Sequence, residues 1–213
     1  MYLALGFIST AKATLWAYLV RPFSSLLSIL TCALLLSLPS LCLAVPQHFD
    51  PELRTALLQA VESNDSFEDK YDAEVWLMDI STRLARWMPD SKKRIEFLQV
   101  LHSEAKRAGV QPELVLAVIQ IESAFDRFAL SYVGARGYMQ IMPFWKNEIG
   151  RPDDNLMDLR TNLRYGCTIL KHYLDREKND HIRGLARYNG SLGRTKYPEK
   201  VLMAWEKYWF IEH

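Results

Sequence analysis

The segment from Val115 to Ile121 is almost wholly apolar, has the pattern of a helix opened by Pro112, and ends at one carboxylate, Glu122. A carboxylate beside such apolar side chains loses hydration, and lost hydration raises the pKa of a carboxyl group. A carboxylic acid that is still protonated near neutral pH can serve as a general acid. We therefore expect Glu122 to be a chemically active group.

The rest of the chain after residue 44 also has the pattern of successive helices. Start signals stand at Asp50-Pro51, at Asp90 or Ser91, and at Asp158, and Gly109 is a stop signal. Two shorter helices are expected near residues 182–188 and 198–209, and no convincing alternating run of strand length occurs. The sequence predicts an all-α fold, with residues 45–90 as a helical extension and residues 91–213 as the catalytic domain.

The first 44 residues differ from the rest in composition. Their only charges are Lys12 and Arg21, and Arg21 precedes an apolar run over residues 23–38. Small residues before position 45 then favour a secretory signal cleaved after Ala44, and hence export to the periplasm. The alternative is an uncleaved N-terminal anchor that holds the protein at the inner membrane, facing the periplasm.

Composition argues against several classes of protein. The formal net charge of +1 indicates no nucleic acid partner. Two of the three cysteines lie in the leader, so the mature chain keeps only Cys167, which we expect to be a buried, inert thiol rather than a nucleophile. The histidines lack metal-ligand spacing, so neither a metal nor another cofactor is predicted.

Two further groups of residues are suited to a site around Glu122. Gly137 permits close backbone approach, and Met139 and Gln140 follow it directly. Far along the chain, Tyr188 and Asn189 end another helix before Gly190. A phenol hydroxyl and two amides can hold a carboxyl group and a hydroxylated substrate. Each residue alone has an ordinary structural explanation, and only the combination indicates an activity.

Taken in order, these residues resemble the motifs of a known family. Glu122-Ser123 is similar to the family's ES motif, residues 137–143 (GYMQIMP) to its GLMQ-x-x-P motif, and residues 187–190 (RYNG) to its AYN motif. Asn162, Gly166 and Leu170 match a helix pattern, and Tyr197-Pro198 with Val201 matches a closing segment. The chain thus resembles the soluble-type (SLT-domain) lytic transglycosylases, relatives of goose-type lysozyme, over about residues 94–205.

The resemblance implies a lysozyme-like helical domain that acts on peptidoglycan glycan strands. Family members cleave the β-1,4 bond between N-acetylmuramic acid and N-acetylglucosamine without water and leave a 1,6-anhydromuramic end. By this resemblance Glu122 is the single acid and base, and Tyr188 hydrogen-bonds and orients it. Substrate contacts are expected from the following residues: Ser131, Gly137, Tyr138, Met139, Gln140 and Asn189.

Some positions depart from the family pattern. Tyr138 replaces a Leu and adds a hydroxyl to a side chain that stays bulky. Arg187 replaces a small residue and Phe144-Trp145 replace Thr-Ala, and these three side chains are expected to line or narrow the groove. A hydrolytic muramidase would need a second carboxylate, and Asp126, the nearest acid, is interpreted as a cap or surface residue. Two further alternatives stay open. A binding or scaffolding protein without activity would be expected to have lost Glu122 or Tyr188, and both are present. A specialised cell-wall opener that serves a secretion or conjugation system is compatible with the sequence.

Overall fold

A computed structural model describes residues 69–211, all of which belong to one compact unit. Within this range the chain forms seven α-helices and a terminal π-helical segment, Trp205–Trp209. The helices are α1 (Lys70–Leu84), α2 (Ser91–Ala108), α3 (Pro112–Ser123), α4 (Trp145–Ile149), α5 (Leu159–Arg176), α6 (His181–Tyr188) and α7 (Lys196–Ala204). The described residues contain isolated β-bridges but no strand, so the all-α prediction is confirmed.

The helix boundaries follow from capping residues in the sequence. The side chains of Asp90, Asp158 and Asp180 each accept a hydrogen bond from a backbone N–H of the first turn. Gly109 ends α2 in the left-handed conformation, with φ at 74°. The predicted signals at Asp90, Gly109 and Asp158 are therefore confirmed.

Helix α3 lies at the centre of the packing. Every residue from Leu114 to Ile119 is buried, which explains why the sequence there is apolar on all sides. It contacts α2, α7 and the π-helical segment, where the indole Nε1 of Trp209 donates to the side chain of Gln120 at 2.8 Å. Glu122 therefore projects from the end of a helix that is fixed along its length.

Two details differ from the sequence-based expectations. The short helix α4 was not predicted. Helix α7 ends at Ala204, where the π-helical segment begins, whereas one helix was expected near residues 198–209. The predicted leader, its cleavage site and the helix expected after Asp50 lie outside the described residues.

The core continues across the domain boundary that we predicted between residues 90 and 91. Leu77, Ile80 and Leu84 of α1 are fully buried in the same hydrophobic cluster as α2 and α3. The Trp76 indole donates to the buried Glu113 carboxylate of α3, and Arg94 donates to Ser81 at 2.9 Å. Helix α1 thus packs into the same core as α2 and α3, and the division of the chain at residue 90 stays a prediction.

Cys167 is fully buried, and burial raises the pKa of its thiol to about 12, as expected for an inert cysteine. In the part of the chain that the structure describes, no helix combines the length and the apolar character that crossing a membrane requires.

We predict that Trp76→Phe destabilises the domain by about 1–3 kcal/mol, because it removes a hydrogen-bond donor from the buried Glu113 carboxylate. Urea unfolding measures the loss. Tyr71→Phe, which removes a hydroxyl from an exposed residue of the same helix, is the control and should change stability little. Equal effects of the two substitutions would contradict the assignment of α1 to the core.

Candidate active site

The Glu122 carboxyl group is partly buried near the end of α3. Burial raises its pKa from 4.5 to about 7, and one hydrogen bond opposes this change. The apolar residues that precede it on α3 supply the low-dielectric surroundings. The sequence-based expectation of a raised pKa is confirmed by this environment.

The hydrogen bond to Glu122 comes from Tyr197, not from Tyr188. The Tyr197 hydroxyl donates to Oε1 of Glu122 at 2.6 Å, whereas the Tyr188 hydroxyl donates to the backbone carbonyl of Met139 at 2.7 Å. A phenol has one hydrogen to donate, so Tyr188 cannot supply both bonds. A tyrosine does donate to Glu122, but the prediction that this tyrosine is Tyr188 was wrong.

Sequence reasoning noted Tyr197 only as part of a closing motif and gave it no place in the site. Nothing in the spacing indicates that a residue 75 positions away would reach Glu122. The packing of α7 on α3, with Pro198 and Val201 buried, turns Tyr197 toward the carboxyl group. The closing motif was the one available signal.

The chain reverses direction immediately after Glu122. Ala124 and Phe125 both have left-handed backbone conformations, with φ at 48° and 65°, which is unfavourable for residues with a Cβ. Phe125 is nevertheless buried, and its ring packs against Trp87, Phe97 and Trp209. This aromatic cluster stabilises the strained turn that ends α3.

The loop at residues 137–140 is clamped around Met139. Its backbone N–H donates to Oδ1 of Asn162 at 2.9 Å, and its carbonyl accepts from Tyr188. A Cβ on Gly166 would lie 2.1 Å from the Met139 sulfur, so only glycine leaves room for this side chain. The helix pattern of Asn162 and Gly166 on α5 thus has a physical role, which is to seat this loop.

Ser123, the last residue of α3, connects the loop at residues 137–140 to that helix. Its hydroxyl lies 2.8 Å from the Tyr138 carbonyl and 3.2 Å from the Ile119 carbonyl of its own helix. The Ser of the predicted ES motif therefore ties the end of α3 to residues 137–140.

Two cavities meet at Glu122 and Asn189, which line both of them. The first, here called the basic cavity, has a volume of about 370 Å³ and is lined also by Ile121, Ser191, Arg194, Lys196, Tyr197 and Lys200. The second, here called the neutral cavity, has a volume of about 270 Å³ and is lined also by Ser131, Val133, Ala135, Gln140, Ile141, Met142, Trp145, Ile169 and Tyr188. Together they form a groove with Glu122 between its two halves.

The structure brings some predicted substrate residues to this groove and buries others. Ser131, Gln140 and Asn189 line the neutral cavity. Met139 is fully buried and Tyr138 is 7% exposed, so neither can contact a sugar in this conformation.

Gly137 is also buried, and a Cβ there would lie 2.5 Å from the Asn162 amide nitrogen. Its φ of 73° likewise favours glycine. Residues 137–139 thus have structural roles in this loop, and their predicted substrate contacts stay predictions.

The departures from the family pattern have different outcomes. Trp145 lines the neutral cavity, and its ring lies 5.2 Å from that of the exposed Phe144. Arg187 does not line either cavity and is paired with Glu177. Asp126 is exposed and accepts a hydrogen bond from the Phe128 N–H at 2.8 Å, as expected for a loop cap.

Comparison with known proteins agrees with this geometry. The family described as "Transglycosylase SLT domain" matches residues 99–208, about half of the chain. The chain belongs to the SLT transglycosylase domain family. The match contains Glu122, both tyrosines and the Met139 loop, and it begins within α2.

Individual relatives in this family match shorter stretches. The chain is 42% identical over 48 residues to the membrane-bound lytic murein transglycosylase C of Actinobacillus pleuropneumoniae, covering 22% of this chain and 13% of that protein. It is 29% identical over 143 residues to the membrane-bound lytic murein transglycosylase F of Desulfosudis oleivorans, covering 64% of this chain and 29% of that protein. The chain thus spans less than a third of the length of either relative.

Among solved structures, the 70 kDa soluble lytic transglycosylase from Escherichia coli aligns with 74% of this chain and 34% of its own, at 18% identity and a TM-score of 0.45. This score is too low to support an assignment, which depends instead on the family match and on the arrangement of the site.

We predict that Glu122 makes the stability of the SLT domain pH-dependent. Because its pKa is raised in the folded state, folding is favoured while Glu122 is protonated, and this contribution is lost as pH rises from about 4.5 through about 7. The free energy of unfolding of Glu122→Gln, taken relative to that of the unsubstituted protein, should therefore be about 2–3 kcal/mol higher at pH 8 than at pH 4. Urea unfolding at both pH values measures this difference.

The matched control is Glu148→Gln, which neutralises an exposed carboxylate on α4. Its stability relative to the unsubstituted protein should change little between the two pH values. A Glu122→Gln difference that is equally independent of pH would contradict the raised pKa.

Proposed function

We propose that the protein is a peptidoglycan lytic transglycosylase. It cleaves the β-1,4 bond between N-acetylmuramic acid and N-acetylglucosamine without water and leaves a 1,6-anhydromuramic end. Membership of the SLT family supports this proposal, as do relatives named lytic murein transglycosylases.

The observation that carries the proposal is the isolation of Glu122. Among the described residues that line the two cavities, Glu122 is the only carboxylate, and its pKa is about 7. Hydrolysis by two carboxylates would require a second acid across the groove. A single acid with a pKa near neutrality suits a reaction in which the same group first donates and then accepts a proton.

Glu122 then acts twice in the reaction. In its protonated form it donates to the glycosidic oxygen as the bond to C1 breaks. The resulting carboxylate accepts the proton of the C6 hydroxyl while that oxygen bonds to C1, which closes the 1,6-anhydro ring and restores the acid. Such acid and base catalysis is worth about 10²–10⁴-fold, so binding in the groove supplies the remaining rate enhancement.

The other residues hold the acid and the glycan in place. Tyr197 orients the Glu122 carboxyl group through its hydrogen bond. Tyr188 acts as a positioning residue through the Met139 carbonyl, and Gln140, Ser131 and Asn189 offer polar groups to the sugars. Trp145 provides a flat apolar surface of the kind that packs against a sugar ring.

The protein would perform this reaction in the periplasm, where peptidoglycan lies. The predicted leader and the membrane-bound relatives support this location.

We expect purified protein to release anhydromuropeptides from sacculi, and Glu122→Gln to lower the rate by at least about 10²-fold because the variant has no proton to donate. Mass spectrometry identifies the products. Anhydro ends support transglycosylation, whereas reducing muramic ends would assign hydrolysis. The matched control, Glu148→Gln, should retain the full rate, and wild-type-like release by Glu122→Gln would contradict the proposal.

The two tyrosines should respond differently to loss of their hydroxyl groups. Tyr197→Phe removes the hydrogen bond that lowers the Glu122 pKa, so the alkaline limb of the pH–rate profile should move to higher pH. Tyr188→Phe releases the Met139 carbonyl and should lower the rate with little movement of that limb.

The pH–rate profiles of both variants on the same sacculi make this comparison. A shift of the limb in Tyr188→Phe but not in Tyr197→Phe would mean that Tyr188, as first expected from the family resemblance, is the partner of Glu122 during the reaction.

A further inference from the structure

The two halves of the groove differ in charge. Arg194, Lys196 and Lys200 line the basic cavity, whereas no Lys or Arg among the described residues lines the neutral cavity. Apart from Glu122, no acidic side chain in the described part of the chain lines the basic cavity. Three positive charges thus face one end of the groove, on one side of the proposed acid.

These three cations have no carboxylate partner within residues 69–211. None of the ion pairs in that range involves Arg194, Lys196 or Lys200. Five other cations of the described domain contact acids: Arg107, Arg160 and Arg164 all contact Glu104, and Arg183 and Arg187 both contact Glu177. The basic cavity is therefore left with uncompensated charge.

The arrangement carries a small cost for the fold. Lys196 and Lys200 lie four residues apart on α7, a spacing at which like charges on a helix repel each other. Glu199 lies between them in sequence but does not line the cavity. Arg194 adds a third charge from the loop that leads into α7. An anion bound in the cavity would relieve this repulsion.

We propose that the basic cavity binds a carboxylate carried by the muramic acid residue of the substrate. This inference rests on the proposed function, because it assumes that a glycan strand lies in the groove. The carboxylate has two sources: the peptide stem attached to the muramic lactyl group, or the free lactyl group where that peptide has been removed. Both place a negative charge beside the glycan strand, and N-acetylglucosamine carries none.

The test measures binding, so that it is independent of turnover. Calorimetry with Glu122→Gln uses three tetrasaccharides: one with peptide stems, one with free lactyl groups, and chitotetraose, which has no carboxylate. We expect a carboxylate-bearing ligand to bind more tightly than chitotetraose, and its advantage to shrink as salt screens the exposed charges.

Substitution of Arg194, Lys196 and Lys200 by Gln in the same background should then remove that advantage. Exposed ion pairs are individually weak, so the three changes together should weaken binding by about three- to tenfold. Chitotetraose binding should stay unchanged. The matched control replaces Lys92, Lys106 and Arg176 by Gln, which makes the same change in net charge. These three residues are exposed and line neither cavity.

The outcomes separate the two sources of the carboxylate. If the triple variant binds only the peptide-bearing ligand more weakly, the carboxylate is that of the stem. If it binds only the ligand with free lactyl groups more weakly, the carboxylate is that of the lactyl group. Equal loss for chitotetraose, or no loss for any ligand, overturns the inference, as does an equal effect of the control substitutions.

Salt dependence in the Glu122→Gln protein gives a second readout that needs no change to the cations. If the carboxylate-bearing ligands lose no advantage at high salt, the inference fails even where the triple variant does not fold. Failure of the proposed function would instead appear as absence of cleavage by the unsubstituted protein, whatever the binding results.

Discussion

The hydrogen bonds that clamp Met139 organise the site more than any other interaction. Asn162 holds its backbone N–H, Tyr188 holds its carbonyl, and Gly166 leaves space for its side chain. These contacts join α5 and α6 to the loop that presents Gln140 to the groove. Ser123 then joins the same loop to α3. Helix α3, the loop at residues 137–140 and α6 are thus joined in one assembly.

Much of the helical framework could be predicted from the sequence, because its signals are local. Asp90, Gly109 and Asp158 act through backbone groups a few residues away, and the apolar run of α3 indicates burial by itself. The raised pKa of Glu122 followed from that run. By contrast, the core that α1 shares with α3 was not predicted, because the contacts of Trp76 with α3 join segments that no local pattern connects.

The roles within the motifs were harder to predict, because a motif does not say whether a residue faces the groove or supports it. Met139 and Gly137 lie in the loop as expected, but both residues are buried. Tyr188 and Tyr197 are both phenols near Glu122, and only the packing of α7 on α3 decides which of them reaches the carboxyl group. Such choices depend on tertiary distances that sequence spacing does not contain.

Two opposing effects set the pKa of Glu122. Burial raises the pKa and favours the protonated acid, whereas the Tyr197 hydrogen bond lowers the pKa and favours the carboxylate. These two effects account for the pKa of about 7. A pKa near neutrality lets Glu122 populate both protonation states, which the proposed two-step reaction would require.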